Sequence, residues 1–229
     1  DDFITKSITC LTNFINKDNS AKPWNRQSHF DNFIKPRKNL SITLKDHRFN
    51  RIFECCESLV YHVDDIANYL DRYRNIVNGI SILDRSFVEM PILKPIFSAV
   101  SLIGIHITKP FQQLLIDVDT NYSKLVTAFP KLYEELKDLQ AIDLCSTSIQ
   151  VMKFVSPEIF KSCIPDKAIC KAIDESIQMY SDQIVPLMKL IVSKIADGFD
   201  VQRGAIFGFG THANDDTGSV FNVSKATED

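Results

Sequence analysis

Asp117 and Asp119 stand two apart in Leu115-Ile116-Asp117-Val118-Asp119-Thr120, a spacing at which one carboxylate can attack phosphorus while the other carries protons. That chemistry needs a parallel sheet to present the loop, a downstream lysine and further carboxylates on magnesium. No alternation of strands and helices surrounds this stretch, so it reads as a helix end and an Asp/Thr/Asn turn capping the next helix. Asp216-Thr217-Gly218-Ser219 offers an aspartate of the kind that hydrolyses peptides in pairs. Its partner would have to come from a β-rich lobe, and only ten residues follow. Cys55 and His62 lie seven apart, as do Cys163 and Cys170, and the four could meet as a tetrahedral zinc site. Structural zinc sites draw on tight C-x(2–4)-C knuckles, which hold two sulfurs without tertiary help. At seven-residue spacing these groups read as buried thiols and a boundary histidine, and His106, inside an apolar run, as a core histidine. No serine sits in a glycine-flanked elbow, and there is no phosphate loop. No catalytic residue, metal ligand or cofactor is assigned, and the chain is read as non-enzymatic.

The elements that would have to position such residues are helical. The chain has 229 residues, 45% hydrophobic and 24% charged, and only seven glycines. Glycine-poor, Leu/Ile/Lys-rich composition is poor material for α/β nucleotide folds, whose tight turns need glycine. A chain of this length buries roughly 70% of the surface its unfolded form exposes, enough for its own core. The net charge of −3 advertises no global affinity for nucleic acid. Residues 1–51 nevertheless hold ten Lys/Arg against five Asp, and residues 197–229 hold six Asp/Glu against Arg203 and Lys225. The six irregularly spaced cysteines point to reduced thiols and an intracellular location. Against that, Asn39-Leu40-Ser41, Asn121-Tyr122-Ser123 and Asn222-Val223-Ser224 fit the glycosylation sequon. The longest uncharged stretch, Pro95 to Thr108, is shorter than the ~20 apolar residues a membrane span needs, so no membrane contact is expected.

Helical periodicity is strongest in Phe49, Ile52, Cys56, Leu59, Val63, Ile66, Leu70 and Tyr73, a 3-4 repeat that puts all eight on one stripe. Glu54, Glu57, Asp64, Asp65, Asp71 and Arg72 fall on what should be its solvated face. Tyr122, Leu125, Phe129, Leu132, Leu136 and Leu139 repeat the pattern, as do Ile173, Ile177, Tyr180, Ile184, Leu187, Ile191 and Ile195. Asp166 should cap the last of these helices and Pro186 should kink it. A core helix is expected near 92–107, and Ser156-Pro157-Glu158 is a cap-plus-proline start for a short one. The expectation is an all-α bundle of about six to eight helices. The 49–73, 122–139 and 169–195 helices should form its centre. Residues 1–45 read as an extended arm with one short helix, 46–200 as the bundle, and 201–229 as a glycine/phenylalanine segment and a mobile polar tail.

Several of these stretches resemble a known family. His47-Arg48-Phe49-Asn50-Arg51-Ile52-Phe53 is similar to the Arg-Trp/Phe-Asn segment opening the helical insertion of the RNase-H-like fold in hAT-type DNA transposases. Lys109-Pro110-Phe111, Tyr122-Ser123-Lys124-Leu125 and Phe129-Pro130-Lys131-Leu132-Tyr133 follow in that family's order and spacing. The resemblance covers roughly residues 47–139. Arg51 replaces the family's usual serine, no strands with the first two catalytic aspartates precede residue 47, and no helix after 139 matches the one bearing the final glutamate. The resemblance therefore implies a fragment or domesticated descendant without the metal-binding triad, nuclear in location, that binds and assembles rather than reacts.

The function expected is a helical interaction module whose partner is another protein or a second copy of itself. The alternatives are a secreted helical binding protein whose signal peptide has been removed, and an enzyme whose site forms between helices without a local motif. One surface could meet an anionic partner such as DNA: Lys17, Lys22, Arg26, Lys35, Arg37 and Lys38, with Trp24 and Phe30 among them. The overall negative charge favours the competing account, that these cations keep the arm soluble.

Overall fold

The computed structural model describes residues 2–16, 26–35, 37–40, 51–73, 90–116 and 122–207. The described part is 84% helical with no strand, the all-α bundle the periodicity implies. Its helices are α1 (Asp2–Asn16), α2 (Arg26–Phe33), α3 (Arg51–Tyr73), α4 (Met90–Ile103), α5 (Lys109–Ile116), α6 (Tyr122–Asp138), α7 (Pro157–Cys163) and α8 (Lys167–Phe207). A π-helical turn, Gly104–Thr108, joins α4 to α5, and a 3-10 turn, Ala141–Leu144, follows α6.

The centre of the bundle is α4, packed most closely against α8 and α3, which also touch each other. Leu93, Phe97, Ala99, Leu102 and Ile103 are all buried. From Leu93 on, α4 is covered on every side and needs no polar face, so it carries no heptad signature and its sequence reads only as an apolar run. Expectation placed α6 at the centre instead. It packs on α8 and α5, with Leu132 and Leu136 buried, but lies to one side of the hub. By length and composition the continuous rod Pro91–Ile116 is able to cross a bilayer, because it runs on past Lys94 and Lys109. With 72% of its most apolar window buried inside the fold, it is a core helix.

The α3 stripe is real and too narrow. Cys56, Leu59, Val63, Ile66 and Leu70 are buried as expected, but so are Phe53, Cys55, Glu57, Val60, His62 and Tyr69. The helix has α4 and α8 on one side and α1 with the arm on another, so residues flanking the stripe are covered too. Glu57, expected on the solvated face, is only 3% exposed.

Local signals at helix ends behave as their chemistry requires. Ser156 caps α7, accepting from the Ile159 N–H, with Pro157 in the first turn. The Asp166 carboxylate accepts from the Ala168 N–H at the start of α8. The kink expected at Pro186 falls instead at Tyr180, whose φ of −130° and ψ of 25° leave the helical region. Beyond it the fully buried positions are Ile184, Met188 and Val192, four apart, so the apolar stripe drifts around the helix rather than following the heptad positions 187, 191 and 195. Helix α8 also continues through Gly198 and Gly204 to Phe207, past the end expected near residue 200. Glycine costs a helix about 1 kcal/mol relative to alanine without forbidding it. The expected polar tail lies outside the described residues.

Candidate functional site

The most unusual chemistry is an ion pair inside the bundle. Glu57 on α3 meets Lys109, the first residue of α5, whose Nζ donates to Glu57 Oε2 at 2.7 Å. The same ammonium lies 2.5 Å from Oε1, without the alignment of a hydrogen bond. It also donates to the Cys163 carbonyl at the C-terminus of α7, at 3.4 Å, where a helix favours positive charge. One lysine thus ties three helices together. Burial disfavours the charged carboxylate and outweighs the attraction of Lys109, so the Glu57 pKa is pushed up to about 7. At neutral pH this carboxyl group is poised between its two protonation states.

The π-helical turn aims the residues that line this region. Lys109 N–H donates to the Gly104 carbonyl, closing the wide turn. Gly104 lies under Phe53 of α3, and a Cβ there would sit 2.7 Å from the Phe53 Cβ, so only glycine lets the two helices approach. Within the turn, His106 is fully buried. Its Nε2 donates to the Ser146 carbonyl at 2.7 Å, its ring stacks on Phe160, and its Nδ1 has no hydrogen-bond partner. Burial pushes the imidazole below its ordinary range, partly opposed by the Ser146 and Leu144 carbonyls.

Thiols surround the pair. Burial pushes Cys55 up to about 12 and raises Cys56 well above the usual thiol value. Cys163 and Cys170 are raised as well, chiefly by burial, with Lys109 opposing in both. Raised thiols stay protonated, which suits packing rather than nucleophilic attack or metal binding. His62 points away from this region and is held by the arm, so the four groups weighed as a zinc site are not brought together; among the described residues no group of three or more His, Cys, Asp or Glu could hold a metal.

The surface carries two open grooves among the described residues. One, of about 560 Å³, runs along α8 past Lys167, Cys170 and Asp174 and is closed on one side by Thr147, whose hydroxyl and N–H both donate to the Asp174 carboxylate. The other, of about 340 Å³, is lined by Glu134, Glu135, Asp138 and Asp143. There the Glu135 carboxylate accepts the Lys153 N–H at 2.6 Å.

The proposed anionic-partner surface is only partly in view. Lys17, Lys22 and Trp24 lie outside the described residues, as do Asp117, Asp119 and Asp216, and Arg26 begins α2. Phe30 is fully buried, packed edge-on against Tyr69 of α3. Lys35 Nζ donates to the Asn32 side chain, and Lys38 is exposed. Arg37 is committed within the molecule: it pairs with Asp65 at 3.0 Å, donates to the Tyr61 carbonyl and lies over the Tyr61 ring. Sequence reasoning missed Glu57–Lys109. The available signal was Lys109 itself, a single cation closing the longest uncharged stretch of the chain.

The fold and this node together define an all-α bundle with a polar pin through its core. The sequence matches no protein-family model, and no curated protein and no solved structure is significantly similar to the chain.

Proposed function

We propose that this chain is a non-enzymatic helical module that assembles with another protein chain, in the first instance a second copy of itself, through the outer face of α8. The observation that carries this reading is a set of large apolar side chains left in water. Among the described residues seven large apolar side chains are exposed: Met179 and Leu190 on α8, at 62% and 58%, and Ile142 and Ile149 on the segment packed beside it, at 58% and 62%, make up four of them, while Ile92, Leu115 and Ile116 lie on α4 and α5. Exposed apolar groups gathered along one element mark interaction surfaces more often than scattered ones do. The polar chemistry of the interior supports the same reading. Glu57, Lys109, His106 and Asp174 are engaged in fastening helices and loops to one another. Descent from the helical insertion of hAT-type transposases, with nuclear location, fits such a role. Arg51-Ile52-Phe53 opens α3 and Lys109-Pro110-Phe111 opens α5, although Pro130 falls inside α6 rather than at its start.

Sedimentation over a concentration series tests the proposal. The wild-type chain should shift from monomer towards dimer as concentration rises, and Met179→Glu with Leu190→Glu should hold it monomeric with unchanged helical content. A wild-type chain that stays monomeric throughout refutes assembly through this face.

A further inference from the structure

The arm, residues 26–40, is fastened to α3 by a buried histidine. Leu40 N–H donates to His62 Nε2 at 3.0 Å, so that nitrogen must carry a lone pair. The remaining ring nitrogen, Nδ1, faces Asp65 Oδ2 at 3.4 Å and holds the imidazole proton. The ring is fully buried between Phe30 of the arm and Tyr61 of its own helix. Arg37 comes from the same arm and places its guanidinium on Asp65, the carboxylate that faces His62 Nδ1. We propose that His62 is a proton-operated latch: the arm docks on the neutral imidazole and is released when the ring takes a second proton.

Two geometric facts give the direction. A proton on Nε2 sets one N–H against another at 3.0 Å, turning the Leu40 bond from attraction to repulsion. An imidazolium would also need Asp65, which the docked arm has already supplied with a cation. With the arm away, Asp65 is free of Arg37 and can hold the charged ring. Docking and protonation therefore oppose each other, and by reciprocity each weakens the other. The arm is held while the ring is neutral and lost once the ring takes the second proton.

The other charged groups nearby do not supply the same coupling. Asp64 is paired with Lys94 of α4 at 3.0 Å, and neither partner belongs to the arm. His29 of the arm is bonded through Nδ1 to the Tyr69 hydroxyl at 2.8 Å, a partner that accepts or donates and so tolerates either ring state. Helix α1, packed on α3, carries Lys6 and Cys10, each engaged with a partner. Release would bare Phe30 and the Tyr69 face of α3 and free Arg37 together with Lys35 and Lys38, the cations suited to an anionic partner.

Nuclear magnetic resonance on the intact chain tests the latch. His62 ring nitrogen shifts and Leu40 amide exchange, corrected for the intrinsic pH dependence, are followed from about pH 7.5 to about pH 5.5. The expected result is that Leu40 protection falls by about tenfold or more in step with His62 charging. In His62→Gln, whose side-chain oxygen can accept the same N–H but does not titrate, the change should be under about twofold. If His62 charges with Leu40 protection unchanged, or the arm releases while His62 stays neutral, the proposal is overturned. The wild-type titration decides this by itself should the variant fail to fold.

Discussion

Removing Lys109 should destabilise the bundle far more at alkaline than at acid pH. In Lys109→Met the apolar stem is kept and the ammonium is lost, leaving Glu57, 3% exposed, without its cation. At about pH 8 wild-type Glu57 is mostly ionised, and breaking a buried pair from one side costs on the order of 3–5 kcal/mol. At about pH 5 the carboxyl is protonated, and the loss shrinks to roughly the 1–2 kcal/mol of a buried hydrogen bond. Glu57→Gln/Lys109→Met, which leaves no buried charge, should recover most of the alkaline loss. The wild-type protein should show the matching trend. Because folding raises the Glu57 pKa from 4.5 to about 7, its contribution to stability is complete below about pH 4.5 and is lost as pH rises through about 7. That shift corresponds to at most about 3–4 kcal/mol. His106 acts oppositely: its pKa is lowered by folding, so its contribution is present above the ordinary imidazole range and lost on acidification. The difference between wild type and Glu57→Gln isolates the carboxyl group. Urea unfolding followed by far-ultraviolet circular dichroism at both pH values is the assay. A Lys109→Met loss below about 1 kcal/mol at pH 8, or equal losses at the two pH values, would refute the reasoning.

Three further outcomes are expected. Leu59→Ala or Ile66→Ala should cost ~2–5 kcal/mol in unfolding free energy, since both side chains are buried in the α3 stripe; a loss under half a kilocalorie would place that stripe in solvent. Gly104→Ala should cost about 1–3 kcal/mol and lower the thermal midpoint, because the new methyl meets the Phe53 Cβ rather than the end of a flexible chain. Arg37→Glu with Lys38→Glu should loosen the arm, seen as faster proteolysis within residues 26–40, by removing the Arg37–Asp65 pair. If the same variant also abolishes a salt-sensitive retention of labelled duplex DNA, the arm is an anion-binding surface; unchanged retention, or none at low salt, removes DNA from its partners.

Periodicity made α3, α6 and α8 legible, because each keeps exposed residues opposite its apolar stripe. It failed where burial is more complete. Beyond its first turn helix α4 is covered all round, so Phe97, Ala99 and Leu102 give no stripe, and neither its role as hub nor its continuation through the π-helical turn to Ile116 could be read. Glu57 sits one residue beyond Cys56, at the margin of the stripe, which is solvated if α3 has neighbours on one side and buried if it has them on two. A single helix pattern does not count its neighbours. Helix α2 was hidden for the opposite reason. Eight residues with Phe30 and Phe33 as their apolar content are too few for a period, and the helix is held by ring contacts with Tyr69 and Tyr73 instead. The Glu57–Lys109 and Arg37–Asp65 pairs join residues 52 and 28 positions apart, a distance local spacing does not reach.

Assembly through the outer face of α8 is tested most directly at the Met179 methyl group, one of four methionine methyls in the chain. Its resonance can be followed from dilute to concentrated protein with a soluble paramagnetic agent present. At low concentration the agent should broaden it strongly, as its 62% exposure requires. At high concentration the account predicts a shifted resonance protected from the agent, while the methyl of Met188, fully buried on the same helix, stays unaffected throughout. A Met179 resonance equally shifted and equally accessible at every concentration would contradict it.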